Sequence, residues 1–294
     1  MNEDNKDKQT NPQDRPDDQP TPGNNDGLIV FKNLTKKFDD KVVLDNLNLS
    51  IEKGKTTVVI GPSGCGKTVL VKHIIALLRP TEGEVYFKGQ RIDELSEKEL
   101  NKIRTNFGFL FQGGALFDSY TVAENVMFPV EQHYRITDVS GIDELVKAKL
   151  AIVGLDGFQS FYPVSLSGGQ RKRVALARAI ALNPEVILYD EPTTGLDPIL
   201  SDVINELILK LEKSLGVTSV VVTHDMKSAY KVGDRIIMLH NGRIIADGDA
   251  DHIRNHQHPI VQQFIQGQVS EEDLETLRMS GTISASQFLP KDFE

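Results

Sequence analysis

Three short stretches of this chain combine residue types that can do chemistry. The first, Gly61, Pro62, Ser63, Gly64, Cys65, Gly66, Lys67 and Thr68, is a full match to G-x-x-x-x-G-K-S/T. Gly64 and Gly66 allow backbone conformations that a Cβ would hinder, so consecutive N–H groups can point inward at phosphate oxygens. A helix start at this point adds partial positive charge. Lys67 is placed to contact β- and γ-phosphates, and the Thr68 hydroxyl to coordinate Mg²⁺. The second stretch, Val186 to Pro192, has four apolar residues and then two carboxylates, Asp190 and Glu191. A hard cation prefers oxygen ligands, so Asp190 suits Mg²⁺ held through water. Glu191 suits the polarising of an attacking water. The third, Leu166 to Gln170, reads Leu-Ser-Gly-Gly-Gln. It forms a second phosphate cradle: a hydroxyl on Ser167, accessible N–H groups at Gly168 and Gly169, and a helix start. Cys65 has two readings, a redox-sensitive thiol at a helix start or a small residue that fits the loop.

The elements that must position these groups are legible as hydrophobic patterns. Thr56 to Ile60 reads as a buried strand running into the glycine-rich loop, and Val69 to Leu78 as the apolar helix after it, stopping at Pro80. Val186 to Tyr189 delivers its carboxylates to the C-terminal edge of a strand, where ligands bind in open α/β sheets. Further strand patterns fall at Leu28 to Phe31, Val42 to Ile51, Val85 to Phe87, Phe107 to Phe111, Ser219 to Val222 and Arg235 to Leu239. From about 112 to 183 the character turns helical, with helices expected over Thr121 to Val130, Ile142 to Val153 and Gly168 to Leu182. Alternation of strand and helix implies an α/β fold with a mainly parallel sheet, into which the helical stretch is inserted.

Composition narrows the class. The 294 residues are 39% hydrophobic and 26% charged, as in a globular domain. No apolar run reaches the ~18 residues of a membrane span. The N-terminus lacks the apolar centre of a signal peptide, so the chain is expected to stay where it is made. A net charge of -9 argues against a nucleic-acid partner. A single cysteine rules out an internal disulfide framework. Residues 1–27 hold seven acids, three bases and no apolar residue beyond Met1, and read as a disordered acidic tail. His252, His256 and His258 lack a clearly spaced fourth ligand and read as a solvated loop rather than a metal site.

The Leu166 to Gln170 text, upstream of Asp190, resembles the defining motif of the nucleotide-binding domains of ABC ATPases, and the likeness runs from about Leu28 to Gly248. It implies a P-loop NTPase core with an antiparallel β subdomain and a helical subdomain at about 113–183. The nucleotide-binding domain would span 28–250, with a C-terminal extension at 251–294. It also implies ATP as the nucleotide and a head-to-tail pair of copies, in which Ser167, Gly168, Gly169 and Gln170 cover the ATP of the second copy. By the same likeness Gln112 would sense Mg²⁺ and couple to a transmembrane partner, and Asp197 would communicate across the pair. His224 would contact the γ-phosphate, and Phe38 would stack on adenine. A phenylalanine near a strand is also commonly core, which leaves Phe38 open.

The text Phe109 to Phe117, with Thr121 to Val126, Gly195 to Pro198 and Pro259 to Gly267, is similar to the ATPases of Mla/Mce-type lipid transport systems. That likeness implies phospholipid or another lipid as cargo. Its partners would be a transmembrane permease, a single-span Mce-type lipid-binding protein and a small cytoplasmic regulatory subunit. The place would be cytoplasmic, peripheral on the cytoplasmic face of the inner membrane. Another cargo, or a soluble ABC ATPase acting without transport, remains an alternative at this stage. So does a choice for the tail, with expected short helices at Pro259 to Ile265 and Glu271 to Met279: a docking extension or a loose end.

Overall fold

The strand patterns around the glycine-rich loop resolve into two sheets in a computed structural model, which describes residues 27–134 and 139–268. The expected tail, apart from Gly27, and the expected helix at 271–279 lie outside the described residues. One sheet is antiparallel, ordered β2-β1-β4-β5, with β1 Ile29–Phe38, β2 Lys41–Ile51, β4 Glu82–Phe87 and β5 Gln90–Arg91. The other has six strands ordered β10-β9-β3-β8-β7-β6: β3 Thr56–Ile60, β6 Phe107–Leu110, β7 Val186–Asp190, β8 Thr218–Val222, β9 Arg235–His240 and β10 Arg243–Gly248. Five of these pair in parallel, and β10 joins β9 antiparallel.

Residues of the parallel strands pack alternately on two separate cores. Val58, Ile60, Ile187, Tyr189, Val221, Ile236 and Met238 face a core built with the helices. Val59, Val186, Leu188, Val220, Val222, Ile237 and Leu239 face a core shared with the antiparallel sheet. Burial on both faces is why these strands read as unbroken apolar runs. The antiparallel-sheet side also takes α1 Lys67–Ile74 and α2 Glu97–Arg104. The other side takes α3 Val122–His133, α4 Val139–Ile152 and α5 Gly168–Ala179, which all fall in the chain between β6 and β7. It also takes α6 Pro198–Leu215, α7 Met226–Val232, α8 Ala250–Arg254 and α9 Pro259–Gln266.

Two elements differ from the hydrophobic pattern for identifiable reasons. Helix α1 ends at Ile74 rather than Leu78, and Ala76 takes a left-handed φ of 50°. The Arg104 guanidinium binds the carbonyls of Ile75 (3.1 Å) and Ala76 (2.9 Å), which fixes the end before Pro80 is reached. Strand β1 continues to Phe38 through register shifts, one beside Asn33 at φ 50°.

Candidate functional site

Strands β3, β8, β7 and β6 are parallel neighbours, so the segments that follow them leave the sheet at one edge. Those segments carry Gly61 to Thr68, His224, Asp190 with Glu191, and Gln112, respectively. The carboxyl edge of such a sheet is where ligands bind.

The Gly61 to Thr68 loop is built as a cradle. Gly64 and Gly66 have φ of 79° and 109°, and a Cβ on Gly66 would come within 3.0 Å of the Val43 carbonyl oxygen. Gly66 caps α1 without a side-chain acceptor, so no side chain covers the first N–H groups of the helix. Lys67 folds back over the loop, its Nζ donating to the carbonyls of Gly61 (2.7 Å) and Pro62 (2.9 Å). Pro62 is half-buried, while Ser63 and Thr68, the latter in the first turn of α1, are exposed. Cys65 is buried, and burial pushes its thiol pKa up against the opposing charge of Lys67. This environment favours the small-residue reading over the redox one.

Asp190 closes β7 and is half-buried; burial first, and then the neighbouring Glu191 carboxylate, raise its pKa. Lys67, Lys72 and Lys172 pull the other way. A carboxylate held in this environment is suited to a divalent cation, which would relieve both penalties. Glu191 has a left-handed φ of 51°. Its side chain is only 12% exposed, and Oε2 lies 2.9 Å from Nδ1 of His224, whose own side chain is 63% exposed. The Thr194 hydroxyl donates to the same Oε2 at 3.1 Å. The carboxylate is thus aimed by two groups, with the imidazole reaching from it toward solvent. Gln112 is exposed just beyond β6.

Leu166 to Gln170 and Asp197 form a second cluster. Ser167 Oγ accepts from the Gln170 N–H (3.2 Å) while Gln170 Oε1 accepts from the Ser167 N–H (2.8 Å), a reciprocal cap on α5. Asp197 Oδ1 caps α6 by accepting from the N–H groups of Ile199 and Leu200, both at 2.9 Å. The two caps touch: Leu196 and Leu200 side chains lie 3.6 and 3.3 Å from where Cβ atoms on Gly168 and Gly169 would stand. Ile199, next to them, is 78% exposed. Among the described residues no hydrogen bond joins this cluster to the Gly61 to Thr68 loop of the same chain. Phe38 ends β1 at 43% exposure, with Lys36 Nζ 5.0 Å from its ring centroid, so it is not a core residue.

Several residues that the patterns did not flag hold the site together. Lys172 Nζ donates to the backbone carbonyls of Gln112 and Glu191. The Arg178 guanidinium binds Gly114 O and Ala115 O, each at 2.7 Å. Buried Asn125 accepts from the Phe117 N–H (2.8 Å) and donates to the carbonyls of Phe117, Tyr120 and Thr121. The available signal was a charged or amide residue on the apolar face of a helix, as Lys172 is beside Ala175 and Leu176. His258, by contrast, caps α9, and the His256 Nδ1 accepts from the His258 N–H at 3.1 Å. No group of three or more metal-binding side chains occurs among the described residues.

Comparison with known proteins follows the same lines. A family model described as ABC transporter matches residues 44–194. The intermembrane phospholipid transport system ATP-binding protein MlaF of Haemophilus influenzae is 44% identical over 83% of this chain and 92% of its own length. A probable ribonucleotide transport ATP-binding protein of Mycobacterium tuberculosis is 40% identical over 81% of this chain and 66% of its length. A dimeric ATP-binding cassette solved in a post-hydrolysis state with ADP and Pi superposes with a TM-score of 0.70 at 38% identity, covering 76% of this chain and 98% of that one. A cbiO subunit of an ABC transporter complex from Clostridium perfringens superposes at 0.73 with 27% identity, covering 86% and 99%.

Proposed function

The chain belongs to the ABC transporter ATPase family, and on that premise we propose that it is the subunit whose ATP hydrolysis drives phospholipid movement through a separate permease. The observation that carries the chemistry is the meeting of Lys67, Asp190, Glu191 and His224 at one sheet edge, with Glu191 held by His224 and Thr194.

In this reading a bound ATP offers Lys67 phosphate oxygens in place of the loop carbonyls it now binds. The uncovered N–H groups at the start of α1 face the same anion. Thr68, Gln112 and Asp190 would hold Mg²⁺, which neutralises phosphate charge when bound. Glu191 takes the proton of the attacking water, and His224 both orients Glu191 and reaches the γ-phosphate. Phe38 supplies a ring face for adenine.

The Ser167 to Gln170 cap and the Asp197 cap form one surface, flanked by exposed Ile199. A second copy placed head-to-tail would present its ATP there. Phe117 and Tyr120, partly exposed and packed on Phe128, lie beyond Gln112 and would meet the permease at the membrane. No helix among the described residues is long and apolar enough to cross a membrane, in keeping with a peripheral subunit. The cargo assignment leans on the Haemophilus relative and on the Phe109 to Phe117 text. The mycobacterial relative, at 40% identity, supports a nucleotide as the second reading.

The test has two parts. Glu191→Gln should bind ATP while losing about 10² to 10⁴ in turnover, and near-normal turnover would sink the assignment. Purification of the natural complex in mild detergent, with mass spectrometry of its contents, should yield a multi-spanning permease and bound phospholipid. Recovery of nucleotide and no lipid would favour the second reading, and recovery with ribosomes or DNA would end both.

A further inference from the structure

Lys172 is 6% exposed, on the apolar side of α5 between Val174, Ala175 and Leu176 and the sheet. An ammonium taken from water without partners costs several kcal/mol, so its position calls for an account. Its Nζ donates to Gln112 O, and to Glu191 O at 3.3 Å. These carbonyls follow β6 and β7, which are hydrogen-bonded neighbours, so a single cation spans the ends of both strands. The carboxylates of Asp190 and Glu191 add attraction. Glu191 meanwhile has a left-handed backbone, which is strained for a residue that carries a Cβ. A hydrogen bond to its carbonyl is the kind of support such a conformation needs. Lys172 also lies five residues into the helix that Ser167 caps, about 7.5 Å along its axis.

We infer that Lys172 is a positioning residue, locking the Gln112 and Glu191 backbones to the helix whose first turn serves the second copy's ATP. One buried ammonium then ties each ATP site to the phosphate cradle that the same chain lends to its partner. This rests on the function proposed above.

The experiment uses the full chain carrying Lys172→Met. Misaiming Glu191 should lower kcat by about 10- to 100-fold. KM for ATP and affinity for a fluorescent ATP analogue should stay within about twofold, because Lys172 makes no bond to the Gly61 to Thr68 loop. In nucleotide-free protein, hydrogen exchange should quicken over 111–117 and 190–195 while α5 keeps its protection. Lys172→Arg, which keeps the donors and charge, should recover most of the lost kcat. Unchanged kcat, or a joint loss in kcat and KM with faster exchange throughout, overturns the inference. If Lys172→Met does not fold, Lys172→Gln measured against Lys172→Arg decides by the same split. Glu191→Gln run alongside separates the failures: if it retains turnover the underlying mechanism falls, whereas if it is inactive and Lys172→Met is normal only this inference falls.

Discussion

Replacing Arg178 by methionine should loosen the segment between the ATP site and the exposed aromatic residues, and the size of the effect can be worked from its contacts. The guanidinium donates to Gly114 O and Ala115 O, both at 2.7 Å, and sits 6.0 Å from the Phe117 ring centroid. Burial lowers the Arg178 pKa, so the cation is held there at a desolvation cost that methionine would not bear. Hydrogen bonds to a charged donor are worth about 1.5 to 3 kcal/mol each. Ala115 is exposed and its carbonyl can return to water, whereas Gly114 is buried and its carbonyl cannot. The expected loss is therefore nearer one full bond than two, about 2 to 3 kcal/mol. For a domain of this size that corresponds to a melting-point drop of roughly 4 to 12 °C. Circular dichroism melts of wild type, Arg178→Met and Arg178→Lys would measure it, with lysine intermediate because it keeps the charge but has one nitrogen where the guanidinium meets Ala115 O and Gly114 O with two. ATP turnover of the isolated subunit at 20 °C should change less than its recovery with the permease. A melting shift under about 2 °C, within which no buried charged bond is lost, would refute the reasoning.

Two further outcomes follow from local geometry. Gly66→Ala should abolish nucleotide binding, since its Cβ would press on Val43 O and Leu44 at a φ of 109°. Gly64→Ala, with nothing within 4 Å of the added carbon, should cost only backbone strain of about 1 to 2 kcal/mol; an ATP-analogue titration compares the two, and equal losses would discredit the steric account. His73 supplies a pH dependence: it is fully buried, and its Nδ1 is 2.7 Å from Val69 O. Burial lowers its pKa from 6.5, so in the window below 6.5 the unfolded chain binds a proton that the folded chain resists. That contribution is complete above the unfolded value and is lost as pH falls toward the folded one. His73→Leu should flatten melting temperature against pH between about 7.5 and 5.5 without loss at neutral pH, and an unaltered slope would contradict it.

What could be read ahead of the structure was the chemistry that neighbours along the chain define. Gly61 to Thr68 constrain one another's backbones, and Thr56 to Ile60 reads as a strand because five consecutive β-branched residues lead into the glycine-rich loop. Each cluster of candidate groups was therefore legible alone, as were most of the strands that deliver them. Their mutual aim was not, because it is set by residues remote in the chain. Arg104 ends α1 from across a gap of 28 residues. Lys172 reaches Gln112 over 60 residues, and Arg178 reaches Gly114 over 64. In a sequence these side chains resemble the solvated charges of a helix surface, although Lys172 shares a helix face with Ala175 and Leu176. Only once α2 and α5 are packed do they turn out to face inward, at backbone carbonyls. A buried cation binding carbonyls is also a strict geometric device, since it is tolerated only while every acceptor stays in place. Lys172, which pattern reading passes over, is thus the one that binds the carbonyl of Glu191 in its left-handed conformation. The nucleotide loop names the substrate, and on the inference drawn above Lys172 helps to aim the carboxylate that would activate water.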